Sequence, residues 1–132
     1  MDVVKSVHRR VMEREARNPE HCREPVLESA LARGLHRIQY EGLGDVMALG
    51  AWLCTDLARS HSFTDGNKRT ALAVLALFLD HNGWALRQRG RIDVAAHLVK
   101  TIEQYQVSQD AGSSAVMDLE SLIRRRTERM GG

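Results

Sequence analysis

Ala71-Leu72-Ala73-Val74-Leu75-Ala76-Leu77-Phe78-Leu79 is nine residues of unbroken apolar sequence in a chain of 132. The run is half the roughly 18 residues that a membrane span requires. A helix that is apolar on every side is a buried helix, so this segment is predicted to lie at the centre of the fold. It ends at His81-Asn82-Gly83, where Gly83 can adopt the left-handed conformation that closes a helix. Just upstream stands His61-Ser62-Phe63-Thr64-Asp65-Gly66-Asn67-Lys68-Arg69-Thr70. Its first part is too polar and glycine-bearing to continue a helix, so it reads as a loop that feeds directly into the core helix.

Working outward, Gly42 and Gly44 break the chain, and Asp45 can cap a helix bearing Val46, Leu49, Trp52, Leu53 and Leu57 that ends near Ser60. Pro25 suits the first turn of a helix carrying Val26, Leu27, Ala30 and Leu31, with Gly34 as its stop. Val4, Val7, Val11 and Met12 recur at helical spacing over residues 2–17, and a polar stretch spans 18–24. Downstream, residues 84–92 are short and mixed, which suggests a small hairpin turning near Gly90. Asp93 can then cap a helix with Val94, Leu98, Val99, Ile102 and Tyr105, and Ser113 or Ser114 can cap a last one with Val116, Leu119, Leu122 and Ile123. Trp52, Trp84, Met12, Met47 and Met117 read as packing residues. The result is an all-α single domain over 1–132, a compact bundle around a buried central helix with at most a short β-hairpin.

Composition narrows the function classes. Nineteen Lys and Arg against seventeen Asp and Glu leave a formal charge of +2, too even a balance to point to direct nucleic-acid binding. Most of the excess lies in Arg124, Arg125, Arg126 and Arg129, read as a solvated helix end. Cys22 and Cys54 form no C-x-x-C pair, and residues 1–5 lack the pattern of a secretory signal. A cytoplasmic protein with no membrane attachment is the expectation.

The loop carries the chemistry. An imidazole, a carboxylate, a glycine, a carboxamide, an ammonium and a guanidinium (His61, Asp65, Gly66, Asn67, Lys68 and Arg69) fall within one ten-residue window that core-building does not need. A helix N-terminus leaves backbone N–H groups unpaired and partially positive, so it holds phosphate oxygens well. Gly66 lets a ligand approach the backbone. Lys68 and Arg69 are electrostatically wrong for the first turn of an isolated helix, and an arriving anion would resolve that conflict. His61, with an ordinary pKa of about 6.5, suits a general base on a hydroxyl nucleophile. Asp65 offers the hard oxygens that Mg²⁺ prefers when it also binds phosphates. Together these are the parts of phosphoryl or nucleotidyl transfer.

The sequence of residues 61–70 resembles the H-x-F-x-[DN]-[AG]-N-K-R-T signature of death-on-curing (Doc) toxins, a branch of the Fic superfamily, at every fixed position. Pro25-Val26-Leu27-Glu28-Ser29-Ala30-Leu31-Ala32-Arg33 is similar to the L-E-S-A-L-A-R helix of that family, and residues 71–83 to its buried helix and N-G ending. The resemblance covers residues 20–85 and is confined to helical character from Arg87 onward. It implies the all-α Fic/Doc core, and a toxin of a bacterial type II toxin–antitoxin module. The implied activity is ATP-dependent transfer of the γ-phosphate to a Ser or Thr hydroxyl of a translation factor, elongation factor Tu, which stops protein synthesis. By position, His61 would be the base and Asp65 the Mg²⁺ ligand. Gly66, Asn67, Lys68 and Arg69 would hold the phosphates of ATP, with Lys68 and Arg69 also acting in catalysis. Phe63 would anchor the loop. Residues 18–24 would lie where family members carry a flap that docks the target, although here the stretch is neither glycine-rich nor strand-forming.

Fic enzymes that transfer AMP instead read H-P-F-x-x-G-N-G-R, with glycine where this chain has Lys68. Glycine leaves backbone room for a close α-phosphate and lysine fills it, which favours γ-phosphoryl transfer over the alternative of a protein adenylyltransferase. No Ser or Thr here has Glu four residues on, so the inhibitory [ST]-x-x-x-E-[GN] helix of self-restrained Fic enzymes is lacking. Restraint would then come from an antitoxin binding in trans, as an amphipathic segment in a groove. A catalytically inactive helical binding module is the other alternative, against which the intact His61, Asp65 and Arg69 argue. A metal hydrolase is disfavoured because His8, His21, His36, His81 and His97 lack zinc-site spacing and read as surface or satisfied residues.

Overall fold

The structure, a computed structural model, describes residues 32–33, 45–60 and 67–130. Within them lie helix α1 (Val46–Arg59), helix α2 (Asn67–His81), strand β1 (Trp84–Leu86), helix α3 (Gln88–Val107), helix α4 (Gln109–Arg126) and strand β2 (Thr127–Arg129). The expected helix over residues 2–17 and the polar stretch 18–24 lie outside the described residues. Of the helix expected to run from Pro25 to Gly34, only Ala32 and Arg33 are described, and both are helical. No helix among the described residues is long and apolar enough to cross a membrane.

Helix α1 begins where Asp45 predicts. The Asp45 carboxylate accepts from the amides of Met47 at 2.8 Å and Ala48 at 3.3 Å, satisfying two of the N–H groups that a helix start leaves open. Its other oxygen takes the Arg124 guanidinium of α4 at 2.6 Å. That bond, above all, holds the Asp45 carboxyl below its ordinary pKa, with the two amide bonds acting in the same direction. One side chain thus starts α1 and ties it to the end of α4.

Helix α2 packs antiparallel to α1, because Gly50 near the start of α1 meets Leu75, Phe78 and Leu79 in the second half of α2. A Cβ at Gly50 would lie 2.9 Å from a Leu75 methyl, so glycine sets how closely the two helices approach. Ala51, Cys54, Ala71, Leu75, Leu79, Val94, Leu98, Val116, Leu119 and Ile123 form the centre of one core shared by all four helices. Each fully buried leucine contributes on the order of 1.5–3 kcal/mol of hydrophobic stabilisation. Burial in this core pushes the Cys54 thiol up to about 12, which leaves it protonated at neutral pH. The expectation that α2 is covered on every side holds for Ala71, Leu75 and Leu79 but not for Leu77, which is 49% exposed. As predicted, α2 ends at Gly83, whose φ is +86°, with the Gly83 amide donating to Asp80 O at 3.0 Å.

The region after Gly83 departs from expectation in four ways. First, β1 does not turn back near Gly90. It pairs antiparallel with the distant β2, Trp84 opposite Arg129 and Leu86 opposite Thr127. Gly90 lies in the first turn of α3, where a Cβ would sit 3.0 Å from the Arg126 backbone oxygen. Close helix approach, not a turn, explains this glycine. Second, α3 starts after Arg87 instead of at Asp93, whose carboxylate accepts from Arg126 Nε at 2.8 Å. Third, Ser108 caps α4, its hydroxyl accepting from the Ala111 amide at 3.0 Å, so Ser113 and Ser114 lie inside the helix. Fourth, the arginine cluster is not merely solvated: Arg124 binds Asp45 and Glu120, Arg126 binds Asp93, and Arg129 lies over the Trp84 ring. Trp52 and Trp84 are half-buried against the core, and Met47 is buried. Met117 is 67% exposed and is not a packing residue.

Two substitutions at Asp45 separate its roles. Asp45→Ala removes cap and ion pair together and is expected to cost about 1–2 kcal/mol in urea unfolding. Asp45→Asn keeps a good cap and loses only a surface ion pair, an expected cost of at most about 1 kcal/mol at neutral pH. Because the folded pKa of Asp45 is depressed, its ionic contribution is complete above the ordinary carboxylate pKa and disappears as pH falls through the lowered value. The stability gap between wild type and Asp45→Asn should therefore close in acid, measured by unfolding across pH 2–7.

Candidate functional site

The last turn of α1 and the first turn of α2 flank the signature loop, and the antiparallel packing of the two helices brings these ends side by side. The α1 end is firmly held. The Ser60 hydroxyl donates to Leu57 O at 2.8 Å, and the Arg59 guanidinium lies over the Tyr105 ring of α3, 3.5 Å from its centroid. The same ring packs directly on Gly112 of α4, where any Cβ would overlap it. Three helices therefore meet at the point from which the chain leaves α1.

On the other side, Asn67, Lys68 and Arg69 form the first turn of α2, as the sequence predicts. That turn contains no acidic residue. Lys68 and Arg69 are exposed and Asn67 is half-buried. Two cations thus occupy the positive end of a helix dipole, the least favourable place for them without an anion. Lys68 forms no ion pair among the described residues, whereas Asn67 and Arg69 do have contacts within the protein. The predicted base His61, the predicted metal ligand Asp65 and the close-approach Gly66 lie outside the described residues. His81 is exposed, and His97 has the Thr101 hydroxyl 3.3 Å from its Nδ1.

Sequence reasoning missed two polar groups. Asp56 in α1 is only 2% exposed and faces Arg33 Nε at 3.7 Å, which ties the helical segment at residues 32–33 to α1. The core face of α1 carries Met47, Ala51, Cys54 and Ala58, and Asp56 projects from the opposite side of the helix, so periodicity does not mark it as buried. Thr70, the last residue of the signature, is also 2% exposed, and its hydroxyl has no hydrogen-bond partner among the described residues. Nothing in the sequence distinguishes it from the two other buried threonines, Thr55 and Thr101.

The description of the Fic/DOC family matches residues 1–79, more than half of the chain. The chain belongs to the Fic/DOC family. Over 56 residues it is 41% identical to the protein kinase doc of Escherichia phage P1, a stretch covering 42% of this chain and 44% of that relative. The chain thus aligns with less than half the length of that relative.

Removing the Arg33 side chain leaves the buried Asp56 carboxylate short of one partner. Arg33→Ala is expected to lower stability by about 1–3 kcal/mol, a discounted value because Arg33 is half-exposed. Equilibrium urea unfolding measures it, and a loss within error of zero would show that the other contacts of Asp56 suffice.

Proposed function

We propose that this protein is a Doc-type kinase, the toxin of a bacterial type II toxin–antitoxin module, which uses ATP to phosphorylate a Ser or Thr hydroxyl of a translation factor, elongation factor Tu. The observation that carries the reading is the first turn of α2, which bears Lys68 and Arg69, lacks any acid, and continues a loop with the full H-x-F-x-[DN]-[AG]-N-K-R-T pattern. The similarity to the protein kinase doc of phage P1 supports the same reading.

In this reading the open amides of the α2 start, with Gly66 and Asn67, hold the phosphate chain. Lys68 acts as a point charge and Arg69 as a two-pronged clamp on the oxygens that gain charge during transfer. His61 takes the proton of the target hydroxyl as that oxygen attacks the γ-phosphorus. The bond from the γ-phosphorus to the bridging oxygen breaks, and ADP leaves with the electron pair. Asp65, a lone carboxylate beside bound phosphates, is a donor suited to Mg²⁺, which supplies charge neutralisation when bound. The side chain at Lys68 occupies the space that a glycine would leave for a close α-phosphate, so transfer of the γ-phosphoryl group is favoured over transfer of AMP. In this reading an antitoxin restrains the enzyme in trans, consistent with the lack of an [ST]-x-x-x-E-[GN] pattern within residues 1–132. The protein works in the cytoplasm, without direct nucleic-acid contact.

The test uses the protein freed of any antitoxin, incubated in a bacterial translation extract with Mg²⁺ and ATP labelled on either the α- or the γ-phosphate. Label from the γ position alone, on a band of the size of elongation factor Tu, is expected. His61→Ala should reduce that label by about 100-fold or more with an unchanged circular dichroism spectrum. Label from the α position would establish AMP transfer instead, and label from neither would favour a binding role.

A further inference from the structure

The two-stranded sheet has two outer edges, and they are treated differently. The Met130 amide donates to Gly83 O at 2.9 Å, which makes Gly83 and Met130 a hydrogen-bonded pair. Alternation along the antiparallel ladder makes Ala85 and Glu128 the next such pair. Trp84 and Leu86 therefore turn their peptide groups away from β2, and Thr127 and Arg129 turn theirs away from β1. On the β1 side the Leu86 carbonyl accepts from Arg91 Nε at 3.0 Å, so a side chain covers that edge. On the β2 side the outward peptide groups of Thr127 and Arg129 form no hydrogen bond among the described residues, and residues 128–130 are exposed. A bare strand edge is a template for another extended chain.

The charges around this edge are unbalanced. Asp45 and Glu120 bind Arg124, Asp93 binds Arg126, and Arg87 binds Glu128. Arg125 and Arg129 are exposed and have no ion pair among the described residues, and the same holds for Arg89 in the first turn of α3. That turn lies against Arg126, because Gly90 meets the Arg126 backbone. We propose that the outer edge of β2 docks an acidic, extended segment of a partner polypeptide, which adds a third strand beside Thr127–Arg129 and sets its carboxylates against Arg125 and Arg129. An extended chain presents peptide groups to one side at every second residue, the spacing of Thr127 and Arg129. A second copy of this edge would oppose arginine to arginine, which is destabilising across strands. A phosphate backbone would use the cations but not the peptide groups. The edge lies beyond the far end of α2, on the order of 20 Å from Lys68, so docking here leaves the candidate site open and does not depend on its chemistry.

The experiment titrates the ¹⁵N-labelled full chain at low salt with a synthetic peptide of alternating Glu and Val, about eight residues long, and with a matching peptide of alternating Lys and Val. The Glu peptide should bind and slow hydrogen exchange at the Thr127 and Arg129 amides by about tenfold or more. The Lys peptide should not bind. High salt, or Arg125→Glu with Arg129→Glu, should weaken binding of the Glu peptide by about tenfold or more, with an unchanged circular dichroism spectrum. Arg129→Pro, which removes one outward N–H that the ladder does not use, should weaken it as well. Failure of the Glu peptide to bind overturns the inference, as does binding that leaves exchange at Thr127 and Arg129 unchanged. Tighter binding of single-stranded oligothymidylate would assign the surface to phosphates instead, and dimerisation of the free protein through β2 would assign it to a second copy.

Discussion

The antiparallel contact between α1 and α2 governs both the fold and the candidate site, because the chain connecting those two helices is the signature itself. Gly50 lets the backbones approach until Leu75 fills the space that a side chain would have taken. The apolar run 71–79 is thereby covered along its inner side, and the first turn of α2 is fixed beside the last turn of α1. Once the helices pack at this distance, the seven residues from Ser60 to Gly66 must span two anchored ends. The anchors are strong on the α1 side, where Arg59, Tyr105 and Gly112 bring three helices together. The geometry of the loop's entry and exit is therefore a property of the core, not of the loop's own sequence.

The second half of the chain serves the same arrangement from outside. Asp45 begins α1 and holds Arg124 near the end of α4, while Arg126 holds Asp93 near the start of α3. Strand β2 then closes on β1, and the Met130 amide reaches Gly83 O at 2.9 Å, just past the end of α2. The chain end thus folds back on the element that follows the core helix. Individually these are exposed charge pairs of small worth. Their value is in register: each joins residues that are more than thirty positions apart in sequence.

Local signals were read correctly where a single residue determines the outcome. Asp45 can cap only the helix that follows it, and Gly83 can relieve the left-handed turn at the end of α2 wherever the helix packs. The failures occur where the outcome depends on a distant partner. Gly90 looks like a turn residue until Arg126 is placed against it. Asp93 looks like a cap until the same arginine claims its carboxylate. Trp84 to Leu86 looks like half of a hairpin, because a three-residue strand says nothing about which segment will pair with it. Of the site, the helical placement of Asn67, Lys68 and Arg69 was legible from the apolar run that follows them. The buried state of Thr70 was not, since it depends on what α2 packs against.

Natural sequences break local rules mainly where function requires it. In the described residues, two such breaks fall within three consecutive positions. Lys68 and Arg69 stand at the positive end of a helix dipole with no acid in that turn, and Thr70 buries a hydroxyl without a partner. Stability alone would favour acidic residues in place of the first two and valine in place of the third. Helix α4 obeys the dipole rule, with Asp110 in its first turn and arginines in its last, whereas α3 also starts with arginines and no acid; Thr55 and Thr101 are paired. A bound polyanion would reverse the sign of the first break.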